Sequence, residues 1–105
     1  MEFKLLSVDL VIVLHDAAIN QTELQGLAGD KSLEGSLSRV EFRINYGLIT
    51  DAYDLAAMYA VAISQAHAFN DANKRTAYAA MEYVLMNHNI EIIFGFGYDS
   101  TVFTR

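Results

Sequence analysis

Apolar residues recur along this chain at intervals of three and four in four separate stretches, and that spacing predicts four helices. The first runs from Val8 to about Asn20, with Leu10, Val11, Leu14, Ala17 and Ala18 on one face and Ser7 placed as its N-cap. From Gln21 to Ser32, Gly26 and the adjacent Gly29 and Asp30 read as a connecting loop. A second helix covers Leu33 to about Tyr46, marked by Leu37, Val40, Phe42 and Ile44 and ended by Gly47. Thr50 is placed to cap a third, in which Tyr53, Leu55, Ala56, Tyr59, Ala60 and Ile63 cover a broad face ending near His67. Asn70 or Asp71 caps a fourth, from about Ala72 to Asn87. Ile90 to Phe94 is apolar and β-prone, which predicts a short strand, and Gly95 to Arg105 reads as loop. The fold expected from this pattern is all-α, a compact helical bundle with a short C-terminal strand.

Composition narrows what such a bundle does. A length of 105 residues suits one domain over the whole chain, and 53% apolar with 19% charged residues suits a packed core. No apolar run approaches the roughly 18 residues of a membrane span and no basic start leads into a signal-type core, so a cytoplasmic protein is expected. Cysteine is absent, which excludes disulfides, thiolate zinc sites and cysteine nucleophiles. With 13 Asp and Glu against 7 Lys and Arg, direct nucleic-acid binding is not expected. Lys74 and Arg75 are the only adjacent cations, so an anion site belongs there.

The segment from His67 to Arg75 concentrates the chemistry: a proton acceptor, a carboxylate, amides and two cations at the junction of two helices. A helix N-terminus presents unpaired N–H groups and a positive dipole end, which suit phosphate. Cations in that first turn are unfavourable by about 0.3–1 kcal/mol, and a bound polyphosphate reverses the sign. His67 is placed to act as a general base, because an imidazole accepts a hydroxyl proton near neutral pH. Asp71 is a hard oxygen ligand suited to Mg²⁺ held jointly with phosphates. Asn73 is placed to bond a phosphate or to orient the loop, and Phe69 to anchor the loop to the core. Each residue alone has an ordinary reading as a cap, a solvated charge or core, and their joint order carries the argument. His15, on the first helix, reads as structural support, and His88 as a helix-end residue.

The string His67-Ala68-Phe69-Asn70-Asp71-Ala72-Asn73-Lys74-Arg75-Thr76-Ala77 resembles the signature H-x-F-x-(D/E)-(A/G)-N-(G/K)-R of the Fic/Doc superfamily, in the form found in Doc, the death-on-curing toxins. Leu14-His15-Asp16-Ala17, Arg39-Val40 with Tyr46, and Ile49-Thr50-Asp51 also fall in family-like order, so the resemblance covers about residues 7 to 92. It implies a Fic-type helical bundle with His67 as catalytic base, Asp71 as catalytic and metal-binding carboxylate, and Asn73, Lys74 and Arg75 as nucleotide-contacting residues. It further implies ATP and Mg²⁺, phosphoryl transfer to a Thr of elongation factor Tu with arrest of translation, and silencing by a Phd-like antitoxin. AMP transfer of the Fic type, or a partner-binding helical module without turnover, are the other functions compatible with it.

The chain departs from the family pattern at several points. Ala68 replaces a common Pro, and Gln65, Ala79 and Met86 stand where active relatives offer basic or amide side chains, which lowers the affinity expected for ATP. No (S/T)-x-x-x-E-(G/N) inhibitory motif occurs, so inhibition is expected in trans. Relatives continue into another helix, whereas here Phe94, Phe96, Tyr98, Val102 and Phe103 crowd the end, and these aromatic and apolar residues predict a groove that an antitoxin segment fills, the alternatives being that they fold back onto the helices or form a homodimer.

Overall fold

The computed structural model describes residues 2–28, 32–94 and 101–104. Four helices make up its body: α1 (Val8–Ala18), α2 (Leu33–Asn45), α3 (Ala52–Ala66) and α4 (Asn73–Asn87). The all-α expectation holds for this body.

Three of the four starts are capped by side chains. Ser7 Oγ accepts from Leu10 N, Ser32 Oγ from Gly35 N, and Asp51 Oδ1 from Asp54 N at 2.8 Å. Asp51, not Thr50, is therefore the cap of α3. Thr50 bonds instead to Asp54 Oδ2, which accepts its Oγ1–H at 2.9 Å, so the two acidic residues between them secure the helix entry. α1 ends at Ala18, two residues before the expected Asn20, with Ile19 extended and its N–H closing onto His15 O. α2 ends as expected at Gly47, whose φ of 73° is the left-handed conformation that terminates helices.

α3 lies along α4, and both carry the core, with α2 packed on α3 and α1 on α4. Leu55, Tyr59 and Ile63 of α3 meet Ala80, Val84 and Leu85 of α4, with Val11 and Val40 closing the two sides. Each Leu, Ile or Val side chain among them contributes roughly 1.5–3 kcal/mol on burial, which outweighs the weak local propensity of these short helices. Tyr59 is fully buried but keeps its hydroxyl satisfied, accepting from Leu6 N at 3.1 Å, and burial pushes its phenol up. On α2 the expected apolar face is narrower: Leu37 and Val40 are buried, whereas Phe42 stands 61% exposed against Tyr46.

After α4, β1 (Glu91–Phe94) matches the expected strand. Residues 101–104 are not loop, however: they form β2 (Thr101–Thr104), antiparallel to β1 with Glu91 opposite Thr104 and Phe94 opposite Thr101. Of the aromatics expected to line an antitoxin groove, Phe96 and Tyr98 lie outside the described residues. Among the described residues, no helix is long and apolar enough to cross a membrane.

Candidate active site

The break between α3 and α4 is made by two residues in the left-handed region, His67 (φ 49°) at the end of α3 and Ala72 (φ 63°) at the start of α4. Neither is glycine, and such conformations cost about 1–2 kcal/mol each, so the surroundings must enforce them. Asn73 supplies one restraint: its Oδ1 accepts from Phe69 N at 3.1 Å and its Nδ2 donates to Phe69 O at 2.9 Å. The Phe69 ring in turn lies flat on the His15 imidazole, centroids 3.8 Å apart and 5° from parallel. His15 is fully buried, and its Nε2–H donates to the Asp71 carbonyl at 3.0 Å. Through His15, α1 thus grips the centre of the loop from behind.

Residues 20–28 grip the same loop from the side. Ala28 N donates to Ala68 O at 2.7 Å, Asn70 N to Gly26 O at 3.1 Å, and Asn70 Nδ2 to Gln25 O at 2.9 Å, with Leu27 bridged to Phe69. Gly26, at φ 86°, supplies the left-handed turn that carries this stretch past the loop, and its need for glycine is one of backbone conformation, since a Cβ there would meet nothing within 4 Å. Glu23 completes this side, accepting from Asn20 N at 2.9 Å and from Arg75 Nη1 at 2.7 Å, while its Oε2 meets Arg75 Nη2. Arg75 Nη1 also donates to Ala18 O at 3.0 Å, at the end of α1. The Arg75 guanidinium, followed by the Asn20 N–H, lowers the Glu23 carboxyl to about 2, and the hydrogen bond to Glu23 in turn raises Arg75.

The remaining face is open. A cavity of about 370 Å³ is lined by Ser64, His67 and the consecutive residues Asn70 to Arg75. α4 begins here without a side-chain cap and without an acidic residue in its first turn. The first backbone bond at this end is from Thr76 N to Ala72 O, and the N–H groups of Asn73, Lys74 and Arg75 have no acceptor among the described residues. Asp71, expected as a possible cap, instead turns Oδ1 back onto Ala72 N at 3.0 Å. The reason is the left-handed Ala72, which moves the helix start two residues beyond Asp71 and leaves the carboxylate at the cavity wall.

His67, Asp71, Asn73, Lys74 and Arg75 are therefore brought to one cavity, with Phe69 and His15 behind it. Asn73 has its amide committed to Phe69, so it offers the cavity its backbone N–H. Lys74 is exposed, while Arg75 is shared with Glu23. Glu23 and Ser64 were not legible as site residues. Glu23 lies 52 residues from Arg75, and its one local signal is the Asn-x-x-Glu spacing with Asn20. His88 is a helix-end residue as expected, with Nδ1 2.7 Å from Val84 O.

A family model described as the Fic/DOC family matches residues 5–85. The chain is also 36% identical over 88 residues to a protein of Escherichia phage P1 named protein kinase doc, a match covering 83% of this chain and 70% of that relative.

Proposed function

This chain belongs to the Fic/DOC family, and from that premise we propose that it is a Doc-type toxin that transfers a phosphoryl group from ATP to a Thr of elongation factor Tu. The observation that carries the reading is the convergence on one cavity of an exposed imidazole, a carboxylate, the exposed Lys74 and the open N-terminus of α4. The name of the phage relative supports kinase chemistry over other group transfers.

In this reading the N–H groups of Asn73, Lys74 and Arg75 hold phosphate oxygens, and the Lys74 ammonium neutralises the charge that develops on transfer. His67 accepts the proton of the target hydroxyl as its oxygen bonds to the γ-phosphorus. The bond from that phosphorus to the bridging oxygen breaks, and ADP leaves. Asp71 would hold Mg²⁺. Among the described residues no three His, Asp or Glu side chains converge as a metal cage, and one carboxylate shared with substrate phosphates is the usual pattern for this ion. When bound, the ion offsets phosphate charge. The protein acts in the cytoplasm, and a Phd-like antitoxin silences it in trans.

Incubation of elongation factor Tu with this protein and Mg-ATP, followed by mass spectrometry, tests the reading. Addition of one phosphate is expected, whereas addition of AMP makes the chain a Fic-type transferase. One observation favours a second reading, a module that binds a partner without turnover: Glu23 already neutralises one of the two cations of the motif. An unmodified target, beside an active control kinase, selects that module.

A further inference from the structure

The outer side of α2 carries a stripe that takes no part in the cavity at the start of α4. Arg39, Phe42, Arg43 and the C-cap Tyr46 follow one another at three- and four-residue spacing, and all four are exposed. Phe42 and Tyr46 are open to solvent by 61% and 67%, with ring centroids 4.6 Å apart. Beside them a cleft of about 100 Å³ lies between α2 and α3, lined by Val40, Met58, Val61 and Ala62 together with Arg39 and Arg43. Arg43 Nη1 is 3.4 Å from the Met58 sulfur. Among the described residues, neither guanidinium has a carboxylate partner. Glu41 falls about 200° round α2 from each of them, and Asp54, one turn before Met58, is taken up by Thr50 N and Oγ1. In a chain of net charge −6, two unpaired cations one helical turn apart repel each other and wait for an acid from outside.

We infer that this stripe and cleft are the docking surface for an acidic segment of the protein substrate; the inference rests on the protein phosphorylation proposed above. Size excludes a small molecule, because ligand pockets start near about 300 Å³, whereas this cleft has room for one aliphatic side chain. Charge sets the rest of the occupant: two planar guanidiniums flanking an apolar slot match carboxylates on either side of an aliphatic anchor. Arg, Phe, Tyr and Met are also the residue types enriched at the centres of protein interfaces. Position then singles out the substrate among acidic proteins. Val61 precedes His67 by six residues of α3 and its C-cap, a separation of about 9 Å along the axis at 1.5 Å per residue. Three extended residues cover that distance at about 3.3 Å each. A segment held between Arg39 and Arg43 therefore brings a hydroxyl a few residues away to the imidazole. The surface supplies affinity for the target and leaves the contacts to phosphate unchanged.

Steady-state phosphorylation of elongation factor Tu by the full chain, with the target and Mg-ATP varied in turn, tests this surface. Arg39→Glu with Arg43→Glu is expected to raise KM for the target at least about tenfold while kcat and KM for Mg-ATP stay within about twofold of the parent. Phe42→Ala, at an exposed position, is expected to raise the target KM about threefold with no change for Mg-ATP. Raising salt from about 50 to about 300 mM should raise the target KM of the parent but not that of the double variant. Arg39→Lys with Arg43→Lys keeps the charge and should keep that salt dependence, which separates loss of charge from loss of fold. A target KM within about twofold of the parent in the Glu variant overturns the surface while the catalytic reading stands. A parallel rise in both KM values also overturns it, since the damage then lies in the active site. If sedimentation finds the parent dimeric and the Glu variant monomeric, the stripe joins two copies of this chain and the substrate surface is overturned. If the parent transfers nothing to the target, the proposed function fails and this surface with it.

Discussion

The starts of α3 and α4 belong to helices of equal length, 15 residues, yet they are built on opposite principles. α3 opens on Asp51, which caps Asp54 N, and carries Asp54 in its first turn, so side chains meet both its bare N–H groups and its dipole. α4 opens on a left-handed alanine, with no cap, no acid and two cations. The first start is finished by the protein's own side chains, and the second, among the described residues, is not. The same local physics therefore gives a stabilised start in α3 and, under the function proposed above, an anion site in α4.

Four expected outcomes break or sharpen this contrast. The largest effect belongs to His67, the residue that closes α3 and faces the bare end of α4. His67→Ala is expected to lower phosphate incorporation by about 10²–10⁴-fold with little change in melting temperature, because either residue carries the same Cβ strain at φ 49°. Retained activity would remove His67 from the role of base. Next, Asp51→Ala is expected to destabilise the fold by about 0.5–2 kcal/mol in urea unfolding while preserving the melting-temperature rise on adding Mg-ATP. Lys74→Glu should do the reverse, stabilising the free protein by about 0.3–1 kcal/mol and abolishing the Mg-ATP rise. Equal behaviour of these two variants would mean that the helix starts do not differ in function.

The smallest effect concerns Glu23. Its carboxyl is lowered from 4.5 to about 2 in the folded state, so the stability it contributes is fully present above the unfolded value and is lost as pH falls through the folded one. The stability difference between parent and Glu23→Gln should accordingly be constant above about pH 5 and shrink towards pH 2. Urea midpoints across that range measure it, and a difference unchanged at pH 3 would show that the pair adds nothing. If Arg75 also contacts the nucleotide as proposed, freeing it from Glu23 should give the same variant a larger Mg-ATP rise than the parent.

The helical body was legible because periodicity reports burial: Val11, Leu37, Leu55, Tyr59 and Ile63 lie on faces that the spacing alone identifies. The place of the candidate site was legible because the residues of the motif are consecutive and reach one cavity without long-range assembly. Side-chain capping rules failed at Ala72, since its left-handed backbone is imposed by contacts from His15 and Asn73 and not by its own type. Phe42 failed for a different reason, as helical spacing gives a face but not its width. β2 gave no usable signal because its pairing depends on a partner strand, and Glu23 offered only a local turn with Asn20, since its ion pair across 52 residues leaves no trace in the nearby sequence.

The pairing of residues 26–28 with 68–70 has a kinetic consequence. The amides of Ala28 and Asn70 each donate across the junction, so neither meets solvent until the two segments separate. Amides freed by one opening event share one opening free energy in hydrogen exchange. Ala28 and Asn70 should therefore exchange at matched protection, well apart from the unprotected amides of Asn73 to Arg75. The breathing of the loop from His67 to Arg75 is set by a stretch of chain outside the motif, and changes of sequence at Gly26 would alter its rhythm while leaving every atom of the motif in place.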